Sequence, residues 1–488
     1  MSKASDQIVI QNFGRNVSFQ PEVCVAPQSE AELLQVLSQH RGRQIRVIGR
    51  LHSWSDAARG DEVLLDLRHL DGVVTEHRDG RVWATVGAGC QIKKLLADLE
   101  RQQNVTLPSV GLISEQSIAG AISTGTHGSG KQSLSHDIAE VRVATYDPAT
   151  GEPVIRTITE GAELQAARCS LGCLGVILSV GLWCRPQYRV EEHFRRYDTL
   201  DEVLAAEDRY PLQQFFLVPW AWDLFAQHRR EVDSPRSGLA RAYRAYWFLF
   251  MDVGLHLVVQ MLAKLWKSRR VTRFFFRWVL PWTVIRNWKV TDKSQDMLII
   301  EHELFRHIEV EVFVRRSRLT EAVRFVTELL RHCGGELDSF SEPTRRRLVE
   351  VGLWDAVVSE FGGYTHHYPI CIRKVLPDDT LISMTCQAEE PYYALSFISY
   401  ARPTEREGFF RFAGVLTDSM VRLFAARPHW GKVCSLNAEQ AESLYPHLGE
   451  FRNISRRFDA SGVFRNRWIA NLLFAERRQD QDRLPASP

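Results

Sequence analysis

The chain has 488 residues, of which 45% are apolar, 25% charged and 10% aromatic. That balance excludes a disordered chain, a collagen-like repeat and a disulfide miniprotein, and the length suits two or three domains with ample buried core. Lys+Arg number 61 against 59 Asp+Glu, a net charge of +2, so no global field recruits nucleic acid and no nucleic-acid partner is expected. The nine cysteines are scattered without a CxxC pair, and no secretory-type apolar run follows Met1, so a reducing, cytoplasmic compartment is expected.

Apolar spacing predicts a helix over Glu30–His40, with Leu33, Leu34, Val36 and Leu37 on one side, and then a buried strand over Ile45–Ile48. Further strands are predicted at Val63–Leu67, Val82–Val86, Val141–Tyr146 and Val176–Leu182, with a helix over Gln91–Gln102 between them. Mixed elements joined by glycine turns argue for an α+β fold rather than a uniform βαβ array. Residues 191–234 carry no clear period. Beyond them, Ile299–Val314 alternates like a strand, Leu319–His332 has helical spacing, Phe397–Ala401 is strand-like, and the tail after Gln479 is polar and expected to fray.

Residues 241–290 differ from the rest. They hold ten Lys/Arg against the single acid Asp252, together with twelve aromatics. The longest uncharged run, Val253–Ala263, includes His256 and Gln260 and is too short for a membrane span, which needs about 18 apolar residues. Trp, Phe and Arg mixed at helical spacing suit a helix pair lying in a membrane interface. A helical hairpin packed on its own domain, with a solvated basic face, fits the same pattern. A nucleic-acid face fits less well, because no such module surrounds it.

Three segments place glycines at strand ends: Val47-Ile-Gly-Arg-Leu-His-Ser-Trp-Ser55, Gly120-Ala-Ile-Ser-Thr-Gly-Thr-His-Gly-Ser-Gly130 and Leu171-Gly-Cys-Leu-Gly-Val-Ile177. Glycine lets backbone N–H groups approach an anion, and Ser or Thr hydroxyls add donors. None is a Walker loop or a GxGxxG fingerprint. Singly each reads as a turn; three within the first 180 residues, two with a histidine, point to a pyrophosphate site.

With further motifs, these loops resemble the FAD-linked oxidases of the vanillyl-alcohol-oxidase superfamily, within it the aldonolactone oxidase (gulonolactone/arabinonolactone oxidase) and alditol oxidase group. Asn12-Phe13-Gly14 resembles the opening Asn-Trp-Gly element, and Gly49–Ser53 the Gly-x-Gly-His-Ser loop. Thr124-Gly-Thr-His-Gly-Ser-Gly130 is similar to the second loop, and His367-Tyr-Pro-Ile-Cys-Ile-Arg373 to a His-Tyr-Pro-Val-Glu-Val-Arg strand. Arg427-Pro-His-Trp-Gly-Lys432 and Asp459-Ala-Ser-Gly-Val-Phe-Arg-Asn466 resemble the two closing signatures. The resemblance spans nearly the whole chain. It implies a two-subdomain FAD-binding domain over 1–190, an α+β cap or substrate domain over 191–450, and a segment over 451–488 that returns to the first domain.

The resemblance also implies an FAD-dependent oxidase of a sugar-derived alcohol or aldonolactone, D-arabinono-1,4-lactone oxidase-like, passing a hydride to flavin N5 and then electrons to O2 to give H2O2. The alternatives are a flavin dehydrogenase or reductase with another acceptor, acting on a hydrophobic or membrane-delivered substrate, and a flavoprotein whose catalysis has lapsed. FAD would be held by Gly49, Arg50, Leu51, His52 and Ser53, by Ser117, Gly120, Thr124, Gly125, His127 and Gly128, by Gly175, Val176 and Ile177, and by Lys432. His52 stands where the family tethers the flavin covalently. Arg50-Leu51 departs from the family's small residue and glycine. Gly111, in Leu107-Pro-Ser-Val-Gly-Leu-Ile113, stands where oxygen-reactive members keep glycine beside the flavin. No metal is implied.

Arg373, Lys432 and Cys371 are the expected catalytic residues. Fixed cations stabilise the negative charge that arrives on a reduced flavin. Cys371 replaces the family's glutamate two residues before the arginine, and residues i and i+2 of a strand share a face. A thiol, with an ordinary pKa of about 8.5, is a weak acceptor unless its neighbours ionise it, so both a thiolate base and a plain structural cysteine fit. Leu112 stands where alditol oxidases carry a serine that contacts the polyol. Both changes make the site less polar and a more hydrophobic alcohol credible. His366 and His367 lie near Cys371; being adjacent they face opposite ways, so at most one supplies acid–base chemistry. Arg273-Phe-Phe-Phe-Arg-Trp278 resembles the membrane-associated stretch of animal gulonolactone oxidases, implying peripheral membrane contact through 241–290.

Overall fold

A computed structural model describes residues 8–299, 306–337 and 339–475. The short alternating segments of the first part fold into two small sheets. Val23–Val25, Val63–Asp66 and Ile45–Ile48 form a parallel sheet with Val63–Asp66 in the middle. Pro153–Ile158, Ile138–Tyr146, Val176–Trp183, Arg81–Gly87 and Val73–Arg78 form an antiparallel sheet in that order. The helix Glu30–Gln39 buries Leu33, Val36 and Leu37, and its Ser29 cap accepts a bond from the Glu32 N–H. Ile92–Gln103 buries Ile92, Leu95, Leu96 and Leu99, and ends at Asn104 in the left-handed conformation. Both helices and the strands lie within two residues of their predicted starts, except Ile138–Tyr146, which starts three residues early.

The second part is built on one eight-stranded antiparallel sheet. Its order is Val290–Lys293, Arg189–Tyr197, Asp223–Val232, Gln214–Val218, Ile370–Val375, Tyr392–Ser399, Ile308–Arg315 and Arg427–Pro428. Three of these strands come from the stretch without a clear period. Charge pairs had hidden it: Glu192 and Arg229 are register partners, both buried, joined at 2.6 Å. The strand foreseen over Ile299–Val314 is Ile308–Arg315, preceded by a helix at Ser294–Leu298; residues 300–305 and the tail after Gln479 lie outside the described residues. One face of the sheet packs Val310, Val312, Ile370, Ile372, Leu395 and Phe397 against helices Leu319–Cys333 and Glu407–Phe424. The other face, offset by one residue, looks toward the first part. From Leu436 onward the chain has returned to the first core, which Ile454, Phe458, Phe464 and Leu472 complete.

The basic segment is a helical hairpin. Ala240–Trp266 is one helix of 27 residues with wide π turns, Lys267 turns the chain in the left-handed conformation, and 269–283 runs back. Here the sequence expectation needs correction: by length and composition Ala240–Trp266 is long enough and apolar enough to cross a membrane. Uninterrupted-run counting stopped at Asp252 and missed this. One face of the hairpin is nonetheless committed to the protein, through Leu255, Val259, Leu262, Phe276 and Leu280. The outer face exposes Phe248, Leu249, Leu257, Phe274, Trp278 and Trp282, the last 80% exposed.

Candidate active site

The ends of the three glycine loops meet in one long cavity between the two parts of the molecule. Gly49 faces Ser117 so closely that a Cβ would lie 2.0 Å from the serine Oγ, so the first two loops touch only because position 49 has no side chain. Gly175, at φ +129, passes the Ala144 carbonyl with no room for a Cβ. Leu51 occupies the left-handed region at φ 56, where the matching family position is glycine, a conformation that costs a branched residue on the order of 1 kcal/mol. Its carbonyl accepts a 2.8 Å bond from the Phe13 N–H, and the Asn12 amide donates to the Ser53 carbonyl at 2.8 Å, which fastens the N-terminal element to the loop. His52 stacks on Phe13 at 4.9 Å. Its Nδ1 is buried and makes no hydrogen bond, and burial pushes the imidazole down to about 4, so it is neutral at pH 7.

Opposite the loops stands the inner face of the large sheet. Phe216, Cys371, Ser396 and Glu311 are successive register partners across four strands, and Gln214, Arg373, Ala394 and Phe313 form the next row. Arg373 donates to Glu311 at 2.6 Å, with both side chains buried. The Glu311 carboxylate also lies 3.5 Å from His127 Nε2. Burial would raise the Glu311 carboxyl, yet the Arg373 guanidinium and then His127 outweigh it and hold it well below the usual carboxylate range. Glu309, one row along, accepts from Lys432 Nζ and from Ser396 Oγ. The strand pair Arg427–Pro428 and the turn after it deliver Lys432. Trp54 N donates to the Gly431 carbonyl at 2.8 Å, Ser55 Oγ to the Trp430 carbonyl at 2.6 Å, and Lys432 Nζ lies 4.4 Å from the Trp54 ring centre. His127, Glu311 and His429 bring potential metal-ligand atoms within 4.8 Å of one another, but Arg373 already fills that corner with a fixed positive charge.

Beyond Cys371 the cavity turns apolar. Phe194, Phe216, Val218 and Phe225 line it from the sheet, Trp247, Met251 and Leu255 from the first hairpin helix, and Leu280 and Val284 from the second. A polar collar interrupts it, where Tyr368 hydroxyl and His256 Nε2 meet at 3.3 Å.

Of the sequence-predicted residues, Gly49, Arg50, Leu51, His52, Ser53, Ser117, Gly120, Thr124, His127, Gly175, Ile177, Cys371, Arg373 and Lys432 line this one cavity. Gly111, Gly125, Gly128 and Val176 stand behind its wall. A Cβ at Gly111 would meet Thr126 Cγ2 at 2.5 Å, and one at Gly128 the Val110 carbonyl at 2.4 Å. Neither His366 nor His367 lines the cavity. Both are buried and burial lowers both, and His367 Nε2 accepts from the Tyr400 N–H at 3.0 Å, so neither reaches the substrate side. Burial also outweighs Arg373 at Cys371 and pushes the thiol up to about 11, so the arginine does not make a thiolate there. Sequence reasoning missed Glu309, Glu311, Ser396 and Arg46. Arg46 is buried, donates to the Leu171 carbonyl at 2.9 Å and to the Ala57 and Phe464 carbonyls, and so ties the first and third loops to the C-terminal segment. The alternation of Glu309 and Glu311 with Val310 and Val312 was the available signal. The glycine-floored cradle and the buried Nδ1 of His52, which makes no hydrogen bond, fit a flavin dinucleotide.

A family model described as an FAD binding domain matches residues 21–152, and one described as D-arabinono-1,4-lactone oxidase matches residues 182–472. A "long-chain alcohol oxidase" of an uncultured marine euryarchaeote is 52% identical over 96% of this chain and 97% of its own. An "L-gulono-1,4-lactone dehydrogenase" of Mycobacterium tuberculosis is 29% identical over 93% of this chain and 96% of its own. Among solved structures, a cholesterol oxidase from Brevibacterium sterolicum superposes with a TM-score of 0.72 at 15% identity, covering 96% of this chain and 97% of that one, a likeness of fold.

Proposed function

The chain belongs to the D-arabinono-1,4-lactone oxidase family of FAD-dependent oxidoreductases, and from that premise we propose that its substrate is an alcohol with a long apolar tail and its electron acceptor O2. The observation that carries this reading is the course of the cavity. It leads from the charged sheet face, past Phe216 and Phe225, to the inner side of the exposed hairpin. Outside the collar of Tyr368 and His256, such walls suit an aliphatic chain better than the several hydroxyls of a sugar lactone. Cys371 and Leu112 stand where polyol-oxidising relatives use polar contacts. The relative named for long-chain alcohols, at 52% identity, supports the same choice.

The bound flavin supplies the hydride acceptor and the route for electrons to O2. The chain's own groups do the rest. Arg373 and Lys432 set fixed positive charge at the closed end of the cavity, so charge developing there meets a preorganised site rather than reorganising water. The apolar duct excludes water and holds the tail, leaving the carbinol at the charged end. His52, neutral and with an open Nδ1 lone pair, is the tether for the flavin. The hairpin, with Trp278 and Trp282 exposed among Arg273, Arg277 and Arg286, lies in a membrane interface on the cytoplasmic side and receives the substrate there. The nine cysteines form no disulfide among the described residues, which fits a reducing compartment.

The test is a panel of straight-chain alcohols from butanol to hexadecanol beside gulono- and arabinono-lactone, read as peroxide release, with and without anionic vesicles. Activity should climb with chain length, about fourfold per methylene while the tail still finds duct wall. A preference for lactones, or reoxidation by a quinone dye but not by air, would reverse the substrate or the acceptor respectively. Retention of yellow flavin after acid denaturation, lost in His52→Ala, reads the tether.

A further inference from the structure

We propose that Glu309 accepts the substrate's hydroxyl proton, in place of the strand carboxylate that position 371 lacks. This rests on the alcohol-oxidising reading above. Oxidation of a carbinol breaks its O–H and C–H bonds and forms C=O. The hydride, with its electron pair, goes to the bound flavin, which is reduced as the carbon is oxidised, and the proton must go to a group on the protein. The family's glutamate position holds Cys371, whose thiol donates to Gln214 Oε1 at 3.8 Å. It stays protonated, since burial pushes it up to about 11.

Two carboxylates face the same cavity from Ile308–Arg315, the next strand but one, and their surroundings separate them. Glu311 Oε1 accepts from Arg373 at 2.6 Å and lies 3.5 Å from His127, and although its Oε2 makes no hydrogen bond, these cations hold the carboxylate well below the usual range and make it a poor proton acceptor. Glu309 is held differently. Ser396, the register partner of Cys371, donates from its Oγ to Glu309 Oε1, so the serine bridges the vacated position and the carboxylate. Lys432 Nζ donates to Oε2 and fixes its other side. The groups that face Glu309 are Lys432, His307 at 4.0 Å, and the charges or hydroxyls of Arg373, Tyr368 and Tyr400. A carbinol losing hydride becomes strongly acidic at oxygen, so a carboxylate within hydrogen-bond reach suffices as base. Glu309 is thus a catalytic residue, Ser396 a positioning one.

The experiment is anaerobic reduction of the bound flavin by dodecanol and by gulonolactone, between pH 5.5 and 9, in the wild type, Glu309→Gln and Glu311→Gln. Glu309→Gln should keep its flavin and slow reduction about 10²-fold or more. Returning a carboxylate to the strand, as Cys371→Glu in the Glu309→Gln background, should recover at least about tenfold. If Glu309→Gln does not fold with flavin, Glu309→Asp and Ser396→Ala serve: each should keep its flavin and slow reduction at least about tenfold, and wild-type reduction in both overturns the proposal. Wild-type rates on dodecanol with Glu309→Gln equally fast overturn Glu309 and keep the long-tail reading. A wild type reduced only by lactone, with Glu309→Gln slow on that lactone, keeps Glu309 and overturns the long tail.

Discussion

At the charged end of the cavity, Arg373, Lys432, Glu309, Glu311, His127 and His429 are packed together between the glycine loops and the large sheet; at the hairpin end, the walls are Phe194, Val218, Phe225, Trp247, Leu255 and Leu280. The first end is a set of compensating charges, each of which would be costly alone. The second has almost no polar contact to lose, and its shape sets what fits. Chemistry and specificity therefore sit on different residues of one cavity. A family can keep the first end and change substrate by rebuilding the second. Substitutions at the two ends should accordingly fail in different ways.

The largest effect is expected at Arg373. Arg373→Met removes one half of a buried pair and leaves Glu311 ionised in a closed site whose Oε2 already makes no hydrogen bond. Loss of stability of about 3–5 kcal/mol is expected, seen in thermal unfolding, together with loss of flavin reduction on every substrate. A variant of unchanged stability would mean that the charges at this end do not depend on one another. At the other end, Leu255→Trp fills the duct without touching a charge. Stability and the rate on butanol should hold, while the dodecanol-to-butanol ratio of kcat/KM falls at least about tenfold, the scale of a few lost methylene contacts. Equal loss on both alcohols would show that the two ends are not separable.

How far the molecule could be read from sequence follows the same division. The glycine loops were legible because close backbone approach demands a residue without Cβ, as at Gly49 and Gly175. Strands such as Ile45–Ile48 and Val176–Trp183 were legible because both faces are buried and their apolar runs are continuous. Arg189–Tyr197 was not, because Glu192 satisfies Arg229 across the sheet and breaks the apolar pattern. Glu309 and Glu311 were passed over for a related reason: a strand with buried carboxylates on its inner face looks like an ordinary half-exposed strand until the partners Lys432 and Arg373, far away in sequence, are in place. The duct left no motif at all. Its residues come from three sheet strands and both hairpin helices, and each reads alone as core. Leu51 shows the converse: the motif was recognised, and its departure from glycine is carried as a left-handed leucine rather than as a rebuilt loop.

The smallest effect on rate is expected at Cys371. If Cys371 were a thiolate base, replacing it would belong with the large losses of the charged end. The geometry sets it between the two ends, beside Phe216 and Ser396, and burial there raises the thiol to about 11 despite Arg373. Cys371→Ala should therefore change flavin reduction by no more than about threefold between pH 6 and 8. Its signature lies at alkaline pH. Above about 9 an unfolded thiol loses its proton while the buried one keeps it, so the folded state binds more protons and stability falls as pH rises, by at most about 1.4 kcal/mol per unit, until about 11. Removing the thiol should flatten that alkaline decline in unfolding midpoint without altering the neutral-pH value by more than the lost sulfur contacts. A hundredfold rate loss with an unchanged alkaline slope would place Cys371 at the chemical end of the cavity, and Glu309 would then be the residue to explain.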